Sequence, residues 1–82
     1  MTEEQIYAAL TPVFRDVLDN DTLILTPSLT ARDVEGWDSL THVNLIVATE
    51  SRFGIKFRTA ELESLKDVGQ FVQLINQRLV AK

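Results

Sequence analysis

The first part of the chain has the apolar repeat of an amphipathic helix. Its apolar residues recur at intervals of three and four: Ile6, Leu10, Val13, Phe14, Val17 and Leu18. Thr2 and Gln5 have the spacing of a capping box. We therefore predict a first helix from about Glu3 to about Asp19. Pro12 removes one backbone hydrogen bond inside it, but the apolar phase continues past Pro12, so we expect a kink rather than a new helix.

The helical repeat is lost between Asn20 and Gly36. Thr, Pro, Ser and Asp alternate irregularly there with five apolar residues: Leu23, Ile24, Leu25, Leu29 and Val34. This composition predicts a long loop that pins its apolar side chains into a core. A strand at residues 22–26 is the alternative interpretation, although a lone strand would have no partner.

A second helix is predicted from Asp38 or Ser39 to about Arg52, ended by the pair Phe53 and Gly54. Residues 55–57 then form an extended apolar link.

Two further helical segments follow the link. Thr59 is placed to cap a short helical turn, and Asp67 is placed to cap a last helix with apolar residues on one face. No sheet is indicated. The expected fold class is therefore all-α, with four helices, a long loop between the first two and a short third helix.

The second helix carries two apolar stripes instead of one. The first contains Leu45, Ile46, Thr49 and Phe53; the second contains Leu40, Val43 and Val47. One stripe must face the core, whereas a helix packed on one side only would carry polar residues at the other. The long loop could cover the second stripe. We instead expect the loop to anchor Leu40 partly and to leave Val43 and Val47 accessible for docking.

Composition limits the possible partners. The 82 residues are short enough for one domain, residues 1–82, with a small core. The formal net charge of −4 argues against nucleic acid and anionic membranes as partners. The chain has no cysteine and no long apolar run, so it offers neither disulfides nor a membrane span. We expect a monomer in the cytoplasm.

Ser39, His42 and the adjacent Asp38 are the residues that could carry catalysis. A Ser–His–Asp triad is disfavoured because Asp38 is too close in sequence to lie behind the imidazole, and nothing supplies an oxyanion site. A single histidine among scattered carboxylates also lacks metal-ligand spacing. For His42 we expect a half-buried position and one hydrogen bond. Judged alone, Ser39 is a helix cap.

A larger pattern changes the interpretation of Ser39. The run Gly36-Trp37-Asp38-Ser39-Leu40 resembles the G-x-D-S-L segment of acyl carrier proteins, at the start of the second of four helices. The resemblance covers nearly the whole chain, including "ESRF" at the end of the second helix and "LKDV" before the last one.

The resemblance implies that Ser39 carries 4'-phosphopantetheine, transferred from coenzyme A by a phosphopantetheinyl transferase. It also implies that acyl-loading and acyl-transferring enzymes are the other partners and that the chain itself is not an enzyme. Asp38 would cap the helix and help to present the serine. A phosphodiester at a helix N-terminus gains roughly 0.3 to 1 kcal/mol from the helix dipole.

The chain departs from the fatty-acid type at Thr41 and Asn44, where that type usually has acids. Asp38 and Glu50 remain around the expected docking stripe. Trp37 and the run "WDSLTHVNLI" look more like stand-alone carriers of polyketide, peptide or specialised lipid pathways, with Trp37 a packing anchor more often than a cargo contact.

Three functions therefore stay open. The first is an acyl carrier for fatty-acid, polyketide or specialised lipid biosynthesis. The second is a peptidyl or aminoacyl carrier. The third is a helical interaction module that has lost the cofactor.

Overall fold

The computed structural model describes residues 1–81, and over that range it contains helices and no strand. Its helices are α1 (Glu3–Val17), α2 (Ser39–Phe53), α3 (Thr59–Glu63) and α4 (Val68–Ala81), with a 3-10 turn at Ala31–Asp33. The predicted class, helix order, long loop and short third helix are confirmed. No helix within residues 1–81 is long and apolar enough to cross a membrane.

Helix α1 begins with the predicted capping box. The Thr2 hydroxyl accepts from the Gln5 N–H at 3.1 Å, and the Gln5 side chain accepts from the Thr2 N–H at 2.9 Å. The helix continues through Pro12 without a restart, as the apolar phase predicts. It ends at Val17, two residues before the predicted end, because Asp19 takes a left-handed φ of 51° that a right-handed helix does not allow.

The core lies where α1 packs against α2 and α4. Its most deeply buried side chains are Ile6, Leu10, Phe14, Leu45, Val68, Val72 and Ile75. Burying one such side chain stabilises the fold by roughly 1.5 to 3 kcal/mol. Thr49 is also fully buried, and its hydroxyl donates to the Leu45 carbonyl at 2.7 Å, so the polar atom is satisfied.

The loop between α1 and α2 is held against the N-terminus of α4. The Val68 N–H donates to the Leu29 carbonyl, and the Gly69 N–H donates to the Pro27 carbonyl, both at 2.9 Å. Loop carbonyls therefore accept N–H groups that the first turn of a helix leaves free. A Cβ on Gly69 would lie 2.9 Å from the Pro27 oxygen, so this contact requires glycine.

The loop buries most of its apolar residues, but not all of them. Leu23, Leu25 and Leu29 pack against the core and Val34 is buried. The expectation that Ile24 is pinned in the core is wrong, because 71% of it is exposed. Its neighbours on both sides turn inward, and consecutive residues of a non-helical segment point in opposite directions. No strand forms at residues 22–26.

Of the caps predicted for the last two helices, one is confirmed and the other is wrong. The Asp67 carboxylate accepts from the Gln70 N–H at 2.9 Å, which confirms it as the cap of α4. Thr59 is not the cap of α3: it is the first helical residue, and Glu61 accepts from the Arg58 N–H at 2.9 Å instead. An ion pair of Glu61 with Arg78 joins α3 to α4 and holds the pKa of Glu61 below its ordinary value.

Candidate functional site

Ser39 is the first residue of α2 and is exposed. The preceding Asp38 is the N-cap: its Oδ1 accepts from the Thr41 N–H at 2.8 Å. That bond is the main reason why the pKa of Asp38 lies below its ordinary value. Asp38 is therefore ionised at neutral pH and fixed at the helix start, and the Ser39 hydroxyl beside it faces solvent.

Gly36 turns the chain into this helix. Its φ of +86° is in the left-handed region, which favours glycine. A Cβ there would meet nothing within 4 Å, so the backbone conformation, not a lack of space, explains the glycine of the G-x-D-S-L run.

Trp37 packs between the loop and the core, as the sequence predicts. Its ring meets Phe14 edge-on with 5.4 Å between ring centroids. Its Nε1–H donates to Nδ1 of His42 at 3.2 Å, and the two rings stack with centroids 6.2 Å apart. His42 is half-buried and its side chain makes this one hydrogen bond, which confirms the expectation for it.

The neighbouring polar residues do not form a catalytic triad. Asp38 accepts from the Thr41 backbone, and the imidazole of His42 is bonded to Trp37. Among residues 1–81, no three His, Cys, Asp or Glu side chains come together as a metal site.

Two concave regions meet at the Trp37–His42 pair. A surface depression, here called the serine groove, is lined by Ala31, Trp37, Asp38, Ser39 and His42. Beneath it lies a mainly apolar inner cavity of about 80 Å³. Trp37, His42 and Ala31 line both, so they form the wall between groove and cavity. Sequence patterns did not indicate Ala31, because only the folded loop brings it to α2.

The second apolar stripe of α2, here called the apolar strip, is exposed. Leu40, Val43 and Val47 are 73%, 56% and 59% exposed. Val43 and Val47 are accessible, as expected. The expectation that the loop partly anchors Leu40 is wrong, because the loop bonds to the N-terminus of α4 and does not cover this side of α2.

Glu50 has an internal role that sequence reasoning missed. Its Oε2 accepts from the Phe57 N–H at 2.8 Å, so the half-buried carboxylate ties the end of α2 to the link before α3. The extended link was the available signal, since its backbone N–H groups have no helical partner.

Comparison with known proteins identifies the family. The model of the phosphopantetheine attachment site family matches residues 8–75. The chain belongs to the acyl carrier protein family. It is 32% identical to an acyl carrier protein of Thermotoga maritima, over 95% of this chain and 96% of that one. It is 32% identical to a meromycolate extension acyl carrier protein of Mycolicibacterium smegmatis, over 93% of this chain and 77% of that one.

A solved structure agrees with the sequence relatives. A holo acyl carrier protein from Geobacter metallireducens matches with a TM-score of 0.87 and 45% identity, over 92% of this chain and 86% of that one. As a member of this family, the chain acts as an acyl carrier with a phosphopantetheine prosthetic group. Its partners are, in general terms, phosphopantetheinyl transferases and acyl-handling enzymes.

Proposed function

We propose that Ser39 is the residue to which 4'-phosphopantetheine is attached and that acyl groups are carried there as thioesters. The observation that carries this proposal is an exposed serine at the first position of α2, inside the D-S-L run and inside the matched residues 8–75. The chain itself performs no catalysis in this account.

The residues around Ser39 fit such a group. The hydroxyl is exposed, so a transferase can reach it, and the serine groove lies beside it. A phosphodiester at the start of α2 also lies at the positive end of the helix dipole. When attached, the group supplies the thiol that holds the cargo, and the chain has no cysteine of its own.

The chain's own contribution is presentation of the serine. The left-handed turn at Gly36 and the cap by Asp38 set the direction in which α2 begins. Trp37 holds this start against Phe14, so the serine is fixed relative to the core.

The apolar strip is the proposed docking surface for the transferase and for the acyl-handling enzymes. The helix that begins at Ser39 exposes the apolar side chains of Leu40, Val43 and Val47. A partner that covers these side chains gains binding free energy. Asp38 and Glu50 border the strip with negative charge, and Trp37 lies at its serine end. We expect the partners to present an apolar patch with basic residues around it.

The pathway that we propose is fatty-acid, polyketide or specialised lipid biosynthesis in the cytoplasm, with the carrier acting as a monomer. The acyl carrier relatives support acyl cargo over aminoacyl cargo. The alternative functions against which the proposal is tested are a peptidyl carrier and an unmodified interaction module.

The test is transfer of the arm in vitro. Purified protein is incubated with coenzyme A, magnesium and a broad-specificity phosphopantetheinyl transferase, and the intact mass is measured. We expect one phosphopantetheinyl group per chain on wild type and none on Ser39→Ala. Ser51→Ala, an exposed serine on the same helix, is the matched control and should be modified fully. An unchanged mass of folded wild type with several transferases, or modification of Ser39→Ala, would contradict the proposal.

A further inference from the structure

His42 has one hydrogen-bonding atom that the fold does not use. Its Nδ1 accepts the Trp37 Nε1–H at 3.2 Å, and in a neutral imidazole the proton must then lie on Nε2. Among residues 1–81, Nε2 has no hydrogen-bond partner. The Trp37 contact therefore leaves His42 with a free N–H donor of fixed tautomer.

The position of His42 places this donor close to Ser39. The two residues are three apart on α2, and residues at that spacing are neighbours on a helix surface. Side chains of a helix lean toward its N-terminus, so the imidazole lies over the turn that begins with Ser39. Both residues line the serine groove.

We infer that His42 binds the phosphodiester of the arm on Ser39, with its Nε2–H donating to a phosphate oxygen. The inference rests on the proposed attachment at Ser39 and adds a residue that orients the group. Trp37 acts through His42 as a positioning residue, because its N–H selects the tautomer that donates from Nε2. The arm would then leave the protein along the serine groove and not directly into solvent.

The charged side chains near His42 belong to the chain itself, so their effect on the imidazole can be separated from that of the arm. Asp38 borders the imidazole from the groove, and Lys66 and Asp67 line the inner cavity with it, from the segment before α4. All three are present with and without the arm. Only the phosphodiester adds a charge on modification, so any change between the two forms reports on that group.

The test is NMR spectroscopy of the imidazole nitrogens in apo and holo protein at about pH 8, where an imidazole of ordinary pKa is neutral. The chain has a single histidine, so the signal needs no assignment by mutation. A phosphate oxygen that accepts from Nε2–H changes the shielding of that nitrogen, so we expect the Nε2 signal of His42 to shift between apo and holo protein, while Nδ1, which is bonded to Trp37 in both forms, shifts less. The phosphorus signal of holo protein should also shift in His42→Phe, which keeps an aromatic ring but has no N–H donor.

Two further measurements separate direct contact from other causes. The shift should persist in about 0.5 M salt, where unbonded charges are screened beyond roughly 4 Å. Trp37→Phe keeps an aromatic ring but removes the N–H donor, so imidazole nitrogen shifts should show a mixture of tautomers and a smaller change on modification.

The outcomes are distinct. The intact mass is measured first, and a chain that gains no arm contradicts both the attachment at Ser39 and the role of His42. A modified chain whose Nε2 signal is alike in apo and holo forms, or whose shift disappears in high salt, contradicts only the contact with His42.

Discussion

The two apolar stripes of α2 have similar side chains but opposite environments. Leu45 and Ile46 are 1% and 9% exposed, whereas Val43 and Val47, only a few residues away, are 56% and 59% exposed. The hydrophobicity of these residues does not decide which side is core. The packing of α1 against α2 does.

The loop explains why one stripe stays uncovered. Its carbonyls at Pro27 and Leu29 are bonded to the first turn of α4, which fixes the loop over the core between helices and away from the apolar strip. A small domain has few segments with which to cover apolar surface. An exposed stripe offers no gain in stability to the isolated chain, which is why we propose a docking role for it.

The largest expected effect is on the buried stripe. Ile46→Ser removes a buried side chain and places a hydroxyl in the core, so we expect the free energy of unfolding to fall by at least about 3 kcal/mol. For a domain of this size that is a decrease in Tm of roughly 12 °C or more. Thermal unfolding followed by circular dichroism measures it. A decrease of only a degree or two would show that this side of α2 is not core.

A smaller effect is expected where the loop meets α4. Gly69→Ala places a Cβ against the Pro27 carbonyl, so the loop must shift, and we expect a net loss of about 1 kcal/mol. Hydrogen exchange of the Val68 and residue 69 amides should become faster. Gln73→Ala, at an exposed position of α4, is the control and should leave both amides protected. Unchanged exchange in Gly69→Ala would mean that the loop is not held at this point.

The cap of α2 should contribute a pH-dependent effect. The pKa of Asp38 is lower in the folded chain than its ordinary value of 3.8, so its ionised form stabilises the fold at higher pH and this contribution is lost as the pH falls through the folded pKa. Asp38→Asn should therefore differ from wild type at pH 7 and converge with it in acid. Urea unfolding of both proteins over the acid range tests this. A difference that is constant with pH would exclude a contribution from the ionised cap.

The smallest effect on stability is expected at the apolar strip. Val43→Ser and Val47→Ser should each change the free energy of unfolding by no more than about 0.5 kcal/mol, because both sites are exposed. If partners dock there, the rate of arm transfer or acyl transfer should fall by roughly fivefold to tenfold. Destabilisation as large as that of Ile46→Ser would place the strip in the core, and unchanged rates would remove it from the docking surface.

Much of this contrast was predictable from the sequence, but its cause was not. Apolar spacing separated Leu45 and Ile46 from Val43 and Val47, and the D-S-L run marked Ser39. Spacing along one helix gives the faces of that helix only. The exposure of Leu40 depends on where a distant loop is bonded. The contact of Glu50 depends on the path of the link after α2. Neither can be predicted from a local sequence pattern.

We propose that Ser39 of this chain carries the arm and an acyl cargo in its native cell. The most direct measurement is mass spectrometry of the protein purified from that cell, first intact and then as fragments that localise the modification. We expect phosphopantetheine on the peptide that contains Ser39, with an acyl group that hydroxylamine releases, as it does from a thioester. A protein that is unmodified throughout growth, or an arm on another residue, would contradict it, and an aminoacyl group on the arm would make the chain a peptidyl carrier.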